Sequence, residues 1–438
     1  MDSLNLSFDW HTCGNDAPEI RQTMGWFRLK VGDISLTRHE DTRSQAIGDA
    51  VLLSAYPLAA WMVSSWWRLR YEPLPPAGTQ PSISWRMAHE LTASNQGFIW
   101  PRVILASDLN SMQIWSTASS ATDRQAIRYL NSLDRACSVN LSEFEQKSQD
   151  FIESVLSRLS ATGSGKTPLA GLWQEVQEER AEPDARQYRR LEAELGFDPD
   201  ECPETLVQDA IQLTERMGQE AFSEVAPAYR QDITKINELI QASGLVGKPA
   251  LPFGDLLAQA SLQKPWHAAN EVALRLRHGI DVQEKPITNE RLYDVLGLTR
   301  TEYETFQPPH RQSVSMAVPL ENGGLRFYPR KKHPAAKRFE LARFIGDHLL
   351  YGNRGSAWLT STDLRTYRQR YQRAFAAEFL CPFRSLQAYL DCDYSESALE
   401  DAAEYFQVSS QTVESVLTNH GVGSFPQSAI DRDASLPY

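Results

Sequence analysis

The sequence predicts an α+β fold, predominantly helical, and three observations predict it. Apolar residues recur at three- and four-residue steps through most of 122–240 and again beyond 335, the period of helices with one buried face. A few short apolar runs flank Gly-Asp, Asp-Leu-Asn-Ser and Asn-Gly sequences, the mark of small antiparallel strands joined by turns. The chain has 438 residues, 42% hydrophobic and 23% charged. That is ordinary globular usage, and it excludes a disordered, collagen-like or supercharged nucleic-acid-coating chain. About two to four domains are expected at this length. We divide the chain into a tryptophan-rich α+β unit (1–121), a helical middle (122–245), a third region (246–425) and a tail (426–438).

Eight of the eleven tryptophans precede residue 120: Trp10, Trp26, Trp61, Trp66, Trp67, Trp85, Trp100 and Trp115. Core packing and an aromatic recognition pocket both account for them. Residues 26–36 read as extended structure broken at Gly32-Asp33. Residues 45–68 read as helix, and 97–107 and 112–119 as strands around a 108–111 turn. The uncharged stretch 50–67 is short for a membrane span and is interrupted by Pro57, so it reads as a buried helix. Helical periodicity continues over 123–133, 141–159, 169–181, 184–195 and 206–217, with breaks at 160–168 and 197–204. The third region opens with helices over 267–280 and 287–298. Segments 312–320 and 324–330 flank Glu321-Asn322-Gly323, a hairpin signal, because Asn-Gly supplies the positive φ of a tight turn. Helices over 335–350, 362–380, 397–406 and 409–419 follow, and the last residues read as a loose tail.

The formal charge is −12, and the five cysteines contain no CxxC pair. They read as reduced thiols of a cytoplasmic protein. The first ten residues hold two Asp and no basic residue, unlike a secretory leader. Gly163-Ser164-Gly165-Lys166-Thr167 lacks the phosphate loop's earlier glycine, since position 160 is Ser, and no strand precedes it; it reads as an inter-helix loop. His89-Glu90 begins like a zinc-peptidase motif, but Ala93 stands where the second histidine belongs. Residues 397–421 have helix-turn-helix spacing, with Leu399, Ala402, Ala403, Phe406, Val408, Val413, Val416 and Leu417 as core. Seven acids and no Lys or Arg lie in 391–420, which argues against DNA reading there. Just before it, 326–384 holds thirteen Lys/Arg and four Asp/Glu, a local +9. Arg330, Lys331, Lys332, Lys337 and Arg338 are its densest run, and Arg365, Arg368, Arg370 and Arg373 follow. One reading is a solvated face paired with the chain's own acids. The other is a surface for an acidic protein or a nucleic acid.

Three segments in order carry a resemblance: RFELARFIGDHLL (338–350), RAFAAEFLCP (373–382) and AAEYFQVSSQTVESVL (402–417). They resemble the ImmA/IrrE family of zinc-dependent peptidases, which cut repressors and regulators of mobile elements and stress responses. The resemblance covers about 250–425 and implies a zincin-like domain with a small β-hairpin and a helix-turn-helix-like end. Aligning the first segment on the family's active helix puts Arg343 and Asp347 where the two zinc histidines belong, and Phe344 at the general-base glutamate. Tyr371 falls near the third, acidic ligand. Arg and Phe neither hold zinc nor take a proton from water, so the resemblance implies a pseudo-peptidase that needs no cofactor. Arg343 and Asp347, four apart on a helix, are expected to form an ion pair where the metal would sit.

What the resemblance then implies is recognition without cutting. A partner segment would add beside 313–319 or 324–329, with Arg330 to Arg338 bordering the groove. The expected function is a non-catalytic regulatory protein of a bacterial cytoplasm that binds a partner protein. Its setting would be a mobile-element, toxin–antitoxin or phage-defence system, with no membrane involvement. A nucleic-acid-associated regulator using 326–384 is the second reading. A metallopeptidase with rearranged ligands, from His348, Asp347 and Asp391 or Cys392, is the third.

Overall fold

The structure, a computed structural model, describes residues 2–122, 124–251, 265–307, 312–351 and 357–422. It is α+β and predominantly helical, with several small antiparallel sheets. The chain forms two compact units, one from Met1–Pro75 with Thr79–Asp209 and one from Ala210–Ala434. The helices of 122–245 are therefore shared between the two units. The tail over 426–438 lies outside the described residues.

In the first unit, strand Met24–Val31 sits between Leu4–Trp10 and Val51–Ser54, and Ile34–Ser35 folds back antiparallel on its end past a Gly32-Asp33 turn. A second sheet runs Cys137–Asn140, Ser111–Thr117, Arg102–Ser107. Two expected helices are strands at this point. Residues 45–54 contain Ala46–Gly48 and Val51–Ser54, because Val51 and Leu53 complete the sheet on Phe27 and Gly25. The helix starts only at Ala55, where Ser54 caps it by accepting from the Tyr56 N–H. Likewise, 123–133 holds strand Ile127–Tyr129, which pairs with His39–Asp41; sheet pairing overrides the local period. Helix Leu141–Ala161 buries Phe144, Phe151, Ile152, Val155 and Leu159. Six of the eight early tryptophans are core, Trp26 is exposed and Trp10 is half-buried. Residues 163–167 link two helices, and Thr167 caps the second.

The 50–67 stretch is a strand end and two short helices, and no helix among the described residues is long and apolar enough to cross a membrane. His89 is fully buried. One ring nitrogen is 2.8 Å from the Leu105 carbonyl and the other 3.0 Å from Glu72, with Trp85 stacked on it. It is a structural group.

In the second unit, four antiparallel strands run in the order Leu245–Gly247, Leu325–Tyr328, Ser315–Pro319, Leu359–Ser361. Gly323 supplies the positive φ of the hairpin loop. Helices Pro265–Gly279, Pro334–Tyr351 and Tyr367–Leu380 pack together beside the sheet, and Gln219–Gln231 packs on Leu359–Ser361. Tyr367–Leu380 is buried almost all round, because it lies between two other helices. Glu396–Phe406 and Ser410–Asn419 end the described chain, and all eight core residues expected for the helix-turn-helix spacing are buried.

Candidate functional site

The residues singled out on the family pattern come together in the second unit, in a centre that is entirely buried. Helix Pro334–Tyr351 contributes Arg343, Phe344 and Asp347, and helix Tyr367–Leu380 contributes Arg368, Gln369, Tyr371 and Gln372; all are buried. The ion pair forms, but with a different arginine from the one expected. Arg368 grips Asp347 as a fork, Nε to Oδ1 at 2.7 Å and Nη2 to Oδ2 at 2.6 Å. The Thr360 N–H donates to Asp347 Oδ2 at 2.9 Å. Arg343 points away and donates to the Thr362 carbonyl at 2.7 Å and to Gln369. The reason is geometric. The Arg368 guanidinium, reaching across from the neighbouring helix, meets both carboxylate oxygens at once, while Arg343 is held by the Thr362 carbonyl and Gln369.

Around this pair the strand Leu359–Ser361 supplies carbonyls. Gln369 and Gln372 both donate to the Thr360 carbonyl, and Arg368 donates to that of Trp358. Tyr351 lies under the Arg368 guanidinium at 4.3 Å. Glu224, from Gln219–Gln231, accepts from the Thr366 hydroxyl at 2.7 Å, while its other oxygen is buried without a hydrogen-bond partner. Burial outweighs the nearby Arg368 and pushes the Glu224 carboxyl up to about 7. Burial works against the charge on Arg368 too, but Asp347 reverses this and raises its pKa. Burial raises the Tyr371 hydroxyl and, with Arg373 and Arg330 nearby, lowers Arg343. Phe344 packs edge-on against Phe327.

These donors do not suit a metal. Asp347 spends both oxygens on Arg368 and Thr360, and Arg343 offers only hydrogens. His348 is half-buried, with burial lowering its pKa, and Asp391 and Cys392 are exposed. No group of three or more His, Cys, Asp or Glu side chains among the described residues is arranged to hold a metal ion. The substitute ligand set is not brought together.

The basic region is largely internal, which corrects the expected docking surface. Arg338, Arg365 and Arg368 are buried. Arg338 donates to the Gln407 and Ile287 carbonyls and to Asn289. Arg330 makes a two-pronged pair with Asp363 at 2.7 and 2.8 Å, and Lys331 lies 3.9 Å from the same carboxylate. Arg373 donates to the Leu364 carbonyl, Arg370 stacks over Trp266 and Lys337 over Tyr303. Of the nine, only Lys332 is exposed; the others are buried or half-buried. A charge count along the chain does not register which guanidinium groups close carbonyl-lined gaps in the core. The proposed edge strands are also interior: Ser315–Pro319 and Leu325–Tyr328 are each paired on both sides. The sheet's edges are Leu245–Gly247 and Leu359–Ser361, the latter buried.

Sequence reasoning missed Glu224, Gln369 and Gln372. No local signal marked them: Gln369 and Gln372 alternate with Arg368, Arg370 and Arg373 in a polar run that reads as a solvated helix face. No protein-family model, curated protein or solved structure matches this chain.

Proposed function

We propose that this chain is a non-catalytic regulatory protein that binds a partner protein, its second unit being a peptidase-like framework without peptidase chemistry. The observation that carries the reading is the Arg368–Asp347 fork. Where the resemblance expects a zinc ligand, the carboxylate is neutralised by a guanidinium and fully buried. A hydrolytic centre needs free donors for a metal, an open position for water and a carboxylate to take its proton. Phe344 cannot be that base, and both Asp347 oxygens are already taken by Arg368 and the Thr360 N–H. Such a network fixes the helices against the sheet and makes a rigid platform. The resemblance suggests a regulatory setting such as a mobile-element, toxin–antitoxin or phage-defence system.

Elemental analysis of the purified chain tests this reading. We expect less than about 0.1 zinc per chain, unchanged in Asp347→Ala. About one zinc per chain, lost in that variant, would overturn the reading and make the chain a metallopeptidase with rearranged ligands.

A further inference from the structure

We propose that Asp401 and Tyr405, with Tyr389 and Glu404 beside them, form a docking surface for an arginine-bearing segment of a partner protein. This rests on the partner-binding reading above and names the surface and the chemistry of what it takes. Helix Glu396–Phe406 buries Leu399, Ala402, Ala403 and Phe406 and turns Glu400, Asp401, Glu404 and Tyr405 to solvent. Residues three and four apart share a helix face, so these four form one stripe. Tyr405 is 49% exposed, and Tyr389, from helix Phe383–Leu390, is 42% exposed. Their rings stack on each other at 4.7 Å and meet Phe406 edge-on, and both keep a substantial part of their surface in solvent.

The chain itself shows what a carboxylate and a tyrosine at this spacing hold. On helix Pro334–Tyr351, Asp347 and Tyr351 stand four residues apart, as Asp401 and Tyr405 do on theirs. Arg368 lies across the first pair, its fork on the Asp347 carboxylate and its Cζ 4.3 Å over the Tyr351 ring. The second pair has the same spacing on an exposed face, its tyrosine ring stacked on Tyr389, and no arginine reaches it among the described residues.

The surroundings fix the sign of the occupant. Residues 391–420 hold seven carboxylates and no Lys or Arg, and this stretch has no ion pair among the described residues except that of His420 with Glu378. Phosphates are repelled by such a field and guanidinium groups are drawn to it. Arginine fits better than lysine, because its plane stacks on an aromatic face while its edge pairs with a carboxylate.

Fluorescence anisotropy on the full chain tests the proposal, with a labelled arginine–glycine–serine repeat peptide, its lysine counterpart and a labelled duplex DNA as probes. The arginine peptide is expected to bind, the lysine peptide more weakly and the DNA not at all. Asp401→Asn/Tyr405→Ala is expected to weaken the arginine peptide about tenfold. The control Glu175→Gln removes one exposed charge from the first unit and is expected to change nothing. Both altered side chains are solvent-facing, and an unchanged circular-dichroism spectrum checks folding. Absence of peptide binding, equal binding of the lysine peptide, equal loss in the control or binding of the DNA would each overturn the proposal. Loss of the docking surface with zinc still absent leaves the non-catalytic reading standing, whereas stoichiometric zinc removes that reading by itself.

Discussion

Asp347 is a fully buried carboxylate gripped on both oxygens by the Arg368 guanidinium. Its place in a buried helix was legible from the apolar positions around it. Its partner was not, because four-residue spacing pointed to Arg343 while the guanidinium that reaches it comes from another helix, 21 positions on. Burying both charges is repaid only by the two-pronged geometry, so removing one partner should cost far more than removing both. Arg368→Met is expected to lose about 3–5 kcal/mol in denaturant unfolding, and Asp347→Leu/Arg368→Met clearly less. A double variant as unstable as the single would show that the pair contributes through something other than charge. Glu224 adds a pH dependence. Its carboxyl moves from an ordinary 4.5 to about 7 on folding. Below 4.5 both states hold the proton; between the two values only the folded state does, so this contribution falls as pH rises and is fully lost above about 7. Glu224→Gln keeps an acceptor for Thr366 without the charge. Compared with the parent chain, it is expected to gain stability at about pH 8 and to lose that advantage near pH 4. An equal difference at both pH values would place the titration elsewhere.

Helices were legible where one face was apolar and both ends carried caps. Residues 141–159, 169–181, 397–406 and 409–419 match Leu141–Ala161, Pro168–Ala181, Glu396–Phe406 and Ser410–Asn419 within two residues. At 51–54 and 127–129 the misread segment is a short strand whose stability comes from a partner far along the chain, while Ala46–Gly48 pairs locally with His39–Asp41. Periodicity within a window does not register such a partner. The 362–380 helix starts instead at Tyr367, because Leu359–Ser361 is claimed by the sheet and Thr366 caps the helix. How Pro334–Tyr351 meets Tyr367–Leu380 also depends on one residue without a side chain. A Cβ at Gly346 would lie 2.7 Å from Cδ1 of Phe375, a ring with no room to retreat in a fully buried position. Gly346→Ala is expected to destabilise by about 1–3 kcal/mol despite alanine's better helix propensity. An unchanged denaturation midpoint would mean the two helices slide apart freely at that point.

At the scale of the whole molecule, the −12 charge hides a division of labour. The arginines of 326–384 are mostly spent inside the second unit, while the carboxylates of 391–420 face water. Composition gave the totals, and only burial shows which sign is presented outside. The two units also carry separate cores, one built on Phe27, Leu58 and Ile152 and the other on Phe344, Tyr371 and Phe375. Nine of the eleven tryptophans, all but Trp266 and Trp358, belong to the first. Tryptophan fluorescence therefore reports chiefly on the first unit, and far-ultraviolet circular dichroism on the helices of both. Separate cores need not melt together, and non-coincident transitions by two probes are the sign that they do not. Arg368→Met is expected to move the circular-dichroism transition to lower denaturant and to leave most of the fluorescence transition where it was. If both probes shift equally, the chain unfolds as one cooperative body, and the loss of one buried ion pair is felt as strongly by the tryptophans of the first unit as by the helices around Asp347.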